Sequence, residues 1–285
     1  QSLANICLSL LNPDDEVLLP CPYWVSYSEI IKLAEAKPIE IPSSVDNNFK
    51  VTAKQIDKAI TSKTKMFMFS SPCNPSGSVY TKKELTDIAK VFDKYPSIFI
   101  VSDEIYEHIN FTKEHYSIGR IESIKDRVIT VNGVSKGYAM TGWRVGFIGG
   151  PLWIAKACNK IQGQVTSATC AIAQKAAEKA MNADPKDATT EMKETFLKRR
   201  DMLLNKLNNI KGVKCNIPDG AFYIFPDISY YFGKSDGTTT INNANDLCMY
   251  LKLKGSVPIN YDIRYYLSNL KFKKYNKSTL SFNLH

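Results

Sequence analysis

The stretch RVITVNGVSKGYAMTGWRVG at residues 127–146 decides how the rest of the chain is interpreted. Its residues 128–131 are all β-branched and predict a buried strand, so Lys136 falls in the loop after the strand's carboxyl end. Glycines flank this lysine and allow close backbone approaches, and Arg144 follows eight residues later. A lysine that forms an imine and an arginine that holds a phosphate fit this spacing. The stretch therefore predicts a ligand-binding loop.

Outward from this loop, apolar strand patterns alternate with helical patterns. The strings KMFMF at 65–69 and SIFIV at 97–101 are nearly continuous apolar runs, which is typical of strands buried on both faces of a parallel sheet. Helical stretches separate them, and TKKE at 81–84 predicts a capping box that opens one of these helices. The alternation predicts an α/β fold with a doubly wound, mostly parallel sheet.

Polar and aromatic motifs follow three of the predicted strands. Asn74 lies in SSPCNPSG, where two prolines and a glycine fix the loop, and Trp24 lies between prolines and polar residues in PCPYWVSY. Asp103 and Tyr106 lie in SDEIYEHINF, at the end of the strand 97–101. Because open α/β sheets bind ligands at the carboxyl ends of their strands, we expect these side chains to share one crevice with Lys136.

Together these strings resemble the motifs of class I aminotransferases of the aspartate aminotransferase type, which are fold type I enzymes dependent on pyridoxal 5′-phosphate (PLP). The resemblance implies that Lys136 forms an imine with PLP and also transfers the substrate α-proton. It implies that Asp103 pairs with the protonated pyridine nitrogen of the cofactor. A carboxylate at that nitrogen keeps the ring cationic, and a cationic ring withdraws electrons from the substrate α-carbon. Asn74 and Tyr106 are expected to contact the 3′-oxygen of PLP.

The same resemblance assigns the remaining cofactor contacts. It implies that Arg144 and Ser135 bind the phosphate and that Trp24 stacks on the pyridine ring, while Trp24 and Asn74 also face the substrate. One departure is Gly133, which stands where some family members carry a serine that contacts the phosphate. The phosphate site is therefore expected to depend more on Arg144 and on backbone N–H groups.

The pattern changes at NADPK, residues 182–186, and predicts a domain boundary there. We expect a PLP-binding large domain over 1–185, incomplete at its N-terminus, and a smaller α+β domain over 186–285. The boundary rests on turn-forming residues between two helical patterns.

Two strings compete for the arginine with which members of the resembled family bind the substrate carboxylate. DIRYY at 262–266 keeps an arginine, Arg264, at a similar distance from the lysine, whereas STLSF at 278–282 resembles the motif but has Thr279 at the arginine's position. A guanidinium group binds a carboxylate bidentately and a hydroxyl does not. We favour Arg264.

Composition limits the other classes of protein. The chain has 285 residues, 44% of them hydrophobic, with a net charge of +9 and a pI near 9.0. Its lysines are scattered rather than set in a stripe with aromatic residues, so we expect no nucleic-acid partner. No apolar run of membrane-spanning length is present, and we expect no membrane partner.

Seven cysteines without CxxC spacing favour the reducing cytoplasm, and three dispersed histidines predict no metal site. Because the sequence opens with QSLANICLSLL and lacks an initial methionine, we also expect an N-terminal portion to be missing.

The predicted activity is transfer of an amino group between an amino acid, of the aspartate or aromatic and kynurenine type, and a 2-oxo acid. The resemblance also implies a homodimer with shared active sites. Two alternatives stay open: a related PLP enzyme such as a β-lyase or aminocyclopropane-carboxylate synthase, and a non-catalytic binding subunit with the same fold. Retention of Asp103, Tyr106, Lys136 and Arg144 together argues against a pure scaffold.

Overall fold

A computed structural model describes residues 1–112, 114–254 and 282–283. Its main feature is a six-stranded sheet in the order β2-β1-β3-β4-β5-β6, in which the first five strands are parallel and β6 runs antiparallel to β5. The strands are β1 (Glu16–Pro20), β2 (Lys37–Ile41), β3 (Thr64–Ser70), β4 (Phe99–Asp103), β5 (Val128–Gly133) and β6 (Gly146–Gly149). The prediction of a doubly wound, mostly parallel α/β sheet is confirmed.

Helices cover both faces of this sheet and continue into the C-terminal part of the chain. They are α1 (Ser2–Leu10), α2 (Ser26–Leu33), α3 (Ala53–Ala59), α4 (Lys82–Phe92), α5 (Leu152–Val165), α6 (Ala171–Met181), α7 (Pro185–Asn208) and α8 (Ala244–Lys254). A short antiparallel pair, β7 (Tyr223–Ile224) and β8 (Phe282–Asn283), forms a second sheet. In the described part of the chain, no helix is long and apolar enough to cross a membrane.

Alternating side chains of the central strands feed two apolar clusters. Met66 and Met68 of β3 pack with α1, α2 and α5 on one face, whereas Phe67 and Phe69 pack with α3 and α4 on the other. Both faces are buried because successive side chains of a strand point to opposite sides of the sheet. Burial on both faces explains why β3 is apolar without a break from Met66 to Phe69.

The segment that carries Arg144 is irregular. Arg144 precedes β6 and ends a short 3₁₀ turn in a left-handed conformation with φ of 56°. Further along the chain, Trp153 of α5 is 55% exposed. Helix α7 begins at Pro185, and proline suits the first turn because it has no N–H to leave unpaired.

The segment 216–221 lies against two loops of the main sheet. The N–H groups of Asp219 and Gly220 both donate to the carbonyl of Gly77, at 2.9 Å each, and the N–H of Ala221 donates to the carbonyl of Ile109 at 2.7 Å. Gly77 itself has φ of +67°, and a Cβ at this position would lie 2.4 Å from the Cβ of Pro218. Only glycine permits both the conformation and the approach, so the contact is built into the backbone.

Candidate active site

A cleft of about 1440 Å³ opens at the carboxyl ends of β3, β4 and β5. All the predicted cofactor-binding residues line it, namely Trp24, Asn74, Asp103, Tyr106, Ser135, Lys136 and Arg144. The two competing candidates for the substrate carboxylate, Arg264 and Thr279, lie outside the described residues. The structure therefore brings seven predicted side chains to one place, and their roles stay predictions.

Asp103 is the last residue of β4 and lies buried at the base of the cleft. Its Oδ2 accepts a hydrogen bond of 2.6 Å from the hydroxyl of Tyr27, and its Oδ1 accepts one of 3.2 Å from the N–H of Ile105. Burial raises the pKa of Asp103, while Tyr27, the N–H of Ile105 and the charge of Lys136 act to lower it. A cation that enters the cleft would also favour the ionised carboxylate.

Tyr27, in the first turn of α2, is a site residue that the sequence analysis missed. It is fully buried and its ring meets Trp24 edge to face, with ring centroids 5.5 Å apart. Burial raises the pKa of its phenol well above the ordinary value, so Tyr27 stays protonated and donates a hydrogen bond to Asp103. The signal in the sequence was the spacing Trp24-Val25-Ser26-Tyr27, which sets the two aromatic residues about one helical turn apart.

Three buried polar side chains form one hydrogen-bonded group beside Asp103. The Nδ2 of Asn74 donates to the hydroxyl of Tyr223 at 3.2 Å, and the hydroxyls of Tyr223 and Tyr106 lie 2.6 Å apart. Tyr223 belongs to β7, in the string GAFYIF at 220–225, and the sequence analysis also missed it. No local pattern relates position 223 to positions 74 and 106, which meet it only through the tertiary fold.

Lys136 is half-buried in the loop after β5. Its Nζ lies 5.9 Å from the ring centroid of Tyr106 and 5.5 Å from that of Phe222. Aromatic faces at this distance attract a cation and confine the flexible lysine side chain. The amine of Lys136 therefore lies near the rings of Tyr106 and Phe222, in a residue that lines the cleft.

Arg144 and Ser135 also line the cleft and are less buried than Asp103. Arg144 is exposed, and its Nη1 donates to the carbonyl of Thr141 at 2.7 Å. A left-handed conformation at a residue with a Cβ is unfavourable and is often found where a side chain must be aimed at a ligand. The departure at Gly133 also has a physical reason here, since a Cβ there would lie 2.7 Å from the carbonyl oxygen of Val145.

A second polar cluster lies next to Asp103 and is formed by Glu104, Glu107 and His115, whose nearest ligand-type atoms all lie within 4.8 Å of one another. Glu104 is buried, and its carboxylate already accepts hydrogen bonds from Ser102, Ser117 and His115 at 2.7 to 2.8 Å. The two carboxylates therefore already have hydrogen-bond partners, whereas the buried Nδ1 of His115 has none among the described residues. The sequence prediction of no metal site stays a prediction.

The groups of the cleft suit PLP in kind and in arrangement. A cationic ring nitrogen needs a buried carboxylate, which Asp103 offers, and a phenolic oxygen needs donors, which Asn74 and Tyr106 offer. A phosphate needs a cation at an open rim, where Arg144 lies, and an aldehyde needs an amine, which Lys136 brings. Trp24 adds a flat apolar face. The residues present fit the cofactor.

The mostly parallel sheet, with a carboxylate at the end of β4 and a lysine after β5, has the architecture of fold type I, the fold of a class of PLP-dependent enzymes. The family profile for aminotransferase class I and II matches residues 1–252. This chain belongs to that family, whose members depend on PLP.

Similar proteins agree with this assignment. A bifunctional aspartate aminotransferase and glutamate/aspartate-prephenate aminotransferase of Petunia hybrida is 43% identical over 263 residues, covering 91% of this chain and 55% of its own length. An aspartate/prephenate aminotransferase of Nitrosomonas europaea is 42% identical, covering 90% of this chain and 66% of its own length. The crystal structure of aspartate aminotransferase from Rhizobium meliloti superposes with a TM-score of 0.90 at 34% identity, covering 99% of this chain and 69% of that one. The chain therefore spans 55% and 66% of the lengths of the two relatives compared by sequence.

Proposed function

We propose that this protein is a PLP-dependent aminotransferase that moves an amino group between an amino acid and a 2-oxo acid. The observation that carries the proposal is the convergence of seven predicted side chains on one cleft around a buried carboxylate. A surface that only binds a partner has no need of a buried aspartate and a lysine in the same cleft. Membership of the aminotransferase family gives independent support.

When bound, PLP supplies an electron sink that lets the α-proton of an amino acid leave. Asp103 keeps positive charge at the ring nitrogen, and Asn74 and Tyr106 donate hydrogen bonds toward the 3′-oxygen. Lys136, beside the ring of Tyr106, would take the proton from the α-carbon of the substrate and would deliver it to the C4′ carbon of the cofactor.

The outer contacts of the proposed site hold the phosphate and the ring face. Arg144 and Ser135 hold the phosphate at the rim of the cleft, and Trp24 excludes water from the face of the ring.

For the substrate, we propose an acidic amino donor such as aspartate or glutamate and an acceptor of the prephenate type. The names of the Petunia and Nitrosomonas relatives support this choice. An aromatic substrate is the second candidate, because an aromatic aminotransferase of Pyrococcus horikoshii superposes with a TM-score of 0.86 at 32% identity, covering 100% of this chain and 72% of that one. The measured preference for acidic or for aromatic amino donors distinguishes these two candidates.

The proposal is tested with purified protein, PLP and a panel of donors comprising aspartate, glutamate, tyrosine and kynurenine. We expect amino transfer from aspartate to a 2-oxo acid, measured as the new amino acid, and a pyridoxyl group on the peptide containing Lys136 after borohydride reduction. Elimination of the substrate side chain without amino transfer would instead indicate the β-lyase type of chemistry. PLP binding without any turnover would favour the non-catalytic subunit.

We also propose that Arg264 binds the substrate α-carboxylate. The proposal rests on the motif alone, and breaking a buried bidentate pair typically costs about 3 to 5 kcal/mol. Arg264→Ala should abolish productive amino-acid binding while the PLP spectrum persists, and Thr279→Ala should change little. If Thr279→Ala abolished amino-acid binding and Arg264→Ala did not, the substrate carboxylate would be assigned to the string STLSF at 278–282.

Three properties of the whole protein remain proposals of ours. The division into domains 1–185 and 186–285 is supported by a separate apolar cluster around Ile228, Ile241 and Leu247. A homodimer is supported by the resemblance to the family. A cytoplasmic location is supported by the cysteines, all seven of which are free thiols.

A further inference from the structure

The residue pair Glu107-His108 lies in the turn that follows Tyr106. The backbone fixes this turn, since the N–H of Glu107 donates to the carbonyl of Glu104 at 2.8 Å. Both side chains of the pair are partly buried, with exposed fractions of 33% for Glu107 and 26% for His108. Neither residue lines the cleft, so the pair can affect the site only through other residues.

Glu107 contacts the chain just before Lys136. Its Oε1 accepts a hydrogen bond of 2.7 Å from the Nδ2 of Asn132, near the end of β5. The Oδ1 of Asn132 in turn accepts one of 2.8 Å from the N–H of Gly133. Because the amide nitrogen of Asn132 donates to Glu107 and its oxygen accepts from Gly133, the carboxylate fixes the direction in which this amide faces. Glu107 thus helps to set the path by which the chain leaves β5 toward the lysine.

His108 contacts the chain just after Lys136. A Cβ at Gly137 would lie 2.7 Å from the Cδ2 of His108 and 3.0 Å from its Cβ, so the imidazole packs directly on the backbone of Gly137. The ring also meets that of Tyr138 edge to face, with ring centroids 5.2 Å apart. Packing as close as this leaves the backbone beside the lysine little room to shift.

The two contacts are joined to each other and lie on either side of the lysine. The Nε2 of His108 lies 3.4 Å from the Oε1 of Glu107, the same oxygen that accepts the hydrogen bond from β5. The pair follows closely on Asp103 and Tyr106, the residues expected at the ring and the 3′-oxygen of the cofactor. One short stretch of chain therefore carries these two residues and also contacts the backbone on both sides of Lys136.

We propose that Glu107 and His108 are positioning residues that hold the backbone on both sides of Lys136, and so set where its amine lies relative to Asp103. The inference rests on the proposed function, because it concerns the lysine that is expected to transfer the proton. A base must lie within hydrogen-bond reach of the proton that it takes, and a small misplacement lowers the rate strongly. Substrate binding depends less on this placement, so loss of the pair should lower kcat more than it raises KM.

The first test compares Glu107→Leu, which removes the acceptor, with Glu107→Gln, which keeps one. In the cofactor-free protein, hydrogen exchange of the backbone N–H groups at 133–139 should be roughly twofold to tenfold faster in Glu107→Leu, as expected for the loss of one hydrogen bond. In the PLP-loaded protein its kcat should fall by roughly tenfold, with KM changed by less than about twofold. Glu107→Gln should stay close to the wild-type protein in both measurements, because an amide oxygen accepts as a carboxylate oxygen does.

Asp57→Leu is the matched control for this comparison. Asp57 is 36% exposed, its carboxylate also joins two segments through hydrogen bonds of 3.0 and 3.3 Å, and it does not line the cleft. It should leave both kcat and exchange at 133–139 unchanged. Because Glu107 also lies near Glu104 and His115, a loss in Glu107→Gln as large as that in Glu107→Leu would assign the effect to charge and overturn the role of the hydrogen bond.

A second test requires no change at Glu107 and decides the case in which Glu107→Leu does not fold. Gly137→Ala places a methyl group against the imidazole of His108, so it should displace the backbone beside Lys136 and lower kcat by roughly tenfold. In a His108→Ala background the space is free, and the cost of Gly137→Ala should disappear. Gly149→Ala is the control, because a Cβ there meets nothing within 4 Å. An equal cost of Gly137→Ala in both backgrounds overturns the role of His108.

The combined outcomes separate this inference from the proposed function. Faster exchange in Glu107→Leu with an unchanged kcat shows a contact that only stabilises the fold, and it overturns the proposal, as does unchanged exchange. If the wild-type protein transfers no amino group, the proposed function fails and the inference fails with it. Normal turnover in the wild-type protein, with no change in kcat in Glu107→Leu or Gly137→Ala, rejects the inference alone.

Discussion

The two sides of the cleft are built differently. On the side of β4, Asp103 is buried and both of its carboxylate oxygens are hydrogen-bonded, by Tyr27 and by the N–H of Ile105. On the side of the loop that follows β5, Ser135 is half-buried, and Arg144 is exposed and donates to the nearby carbonyl of Thr141. The groups expected at the ring of the cofactor are thus fixed by the core before it binds. Those expected at its phosphate are more exposed to solvent.

The largest expected effect comes from Lys136, which lies between the two sides. Lys136→Ala should lower turnover by at least about 10²- to 10⁴-fold, because it removes the group that transfers the proton. It should also abolish the pyridoxyl label after borohydride reduction, as measured by peptide mass spectrometry. Lys125→Ala, at a surface ion pair with Glu122, is the control and should keep both. A label that survives in Lys136→Ala would assign the attachment to another lysine.

Asp103→Asn should have the next largest effect, a loss of about 10²- to 10³-fold in kcat, because a neutral amide does not hold charge at the ring nitrogen. Asp103 is expected to contact the pyridine ring, which PLP shares with pyridoxal, a compound that lacks the phosphate. The variant should therefore lose a similar factor of affinity for both compounds. Titration of each compound, followed by absorbance, provides the measurement. Loss of PLP binding alone would contradict the assignment of Asp103 to the ring.

Arg144→Ala should weaken PLP affinity by about tenfold to a hundredfold, since a hydrogen bond to a charged group contributes about 1.5 to 3 kcal/mol. The lower value is favoured because Arg144 is exposed and screened by solvent. Binding of pyridoxal should be unaffected, the opposite of the pattern for Asp103→Asn. Arg120→Ala, at an exposed ion pair with Glu114, is the control. An equal loss of affinity for PLP and for pyridoxal would contradict the assignment of Arg144 to the phosphate.

Tyr27→Phe tests whether the hydroxyl of Tyr27 is what holds the carboxylate of Asp103 in place. The carboxylate of Asp103 would lose one of its two donors, so its pKa should rise and PLP affinity should fall by about fivefold. Because the charge on Asp103 is lost at a higher pH, the acid limb of the kcat profile should shift upward. A profile identical to that of the wild-type protein would show that the N–H of Ile105 suffices.

The smallest expected effect is on the stability of the cofactor-free protein. Burial raises the pKa of Asp103 above its ordinary value of 3.8, so the folded state holds this proton more tightly than the unfolded chain. Stability therefore falls as pH rises from the ordinary value through the raised one, and Asp103→Asn should remove that fall. Asp87→Asn is a control of opposite sign, because Lys83 and Lys90 lower the pKa of Asp87 and its contribution is lost as pH falls. Thermal unfolding across pH 3 to 8 measures both.

The sequence predicts the ligand site better than it predicts the residues that support it. Asp103 and Lys136 were found because each follows a β-branched or apolar strand, and parallel strands bring their carboxyl ends to one edge. Tyr27 was missed because its contact with Asp103 depends on the order of the strands in the sheet. There β1 lies between β2 and β3, and this order cannot be derived from the local sequence around Tyr27. Tyr223 was missed because hydrogen bonds between residues more than a hundred positions apart leave no periodic pattern.

Gly77 has a consequence for recombination between related proteins. Because its backbone admits the close approach of Pro218 and its carbonyl accepts two N–H groups of the segment 216–221, the loop at 72–78 and that segment are matched surfaces. A chimera that takes only one of them from a relative would bring together backbones shaped for different partners. Exchange of both segments together should preserve the cleft, so the two behave as one inherited unit although they are separated along the chain.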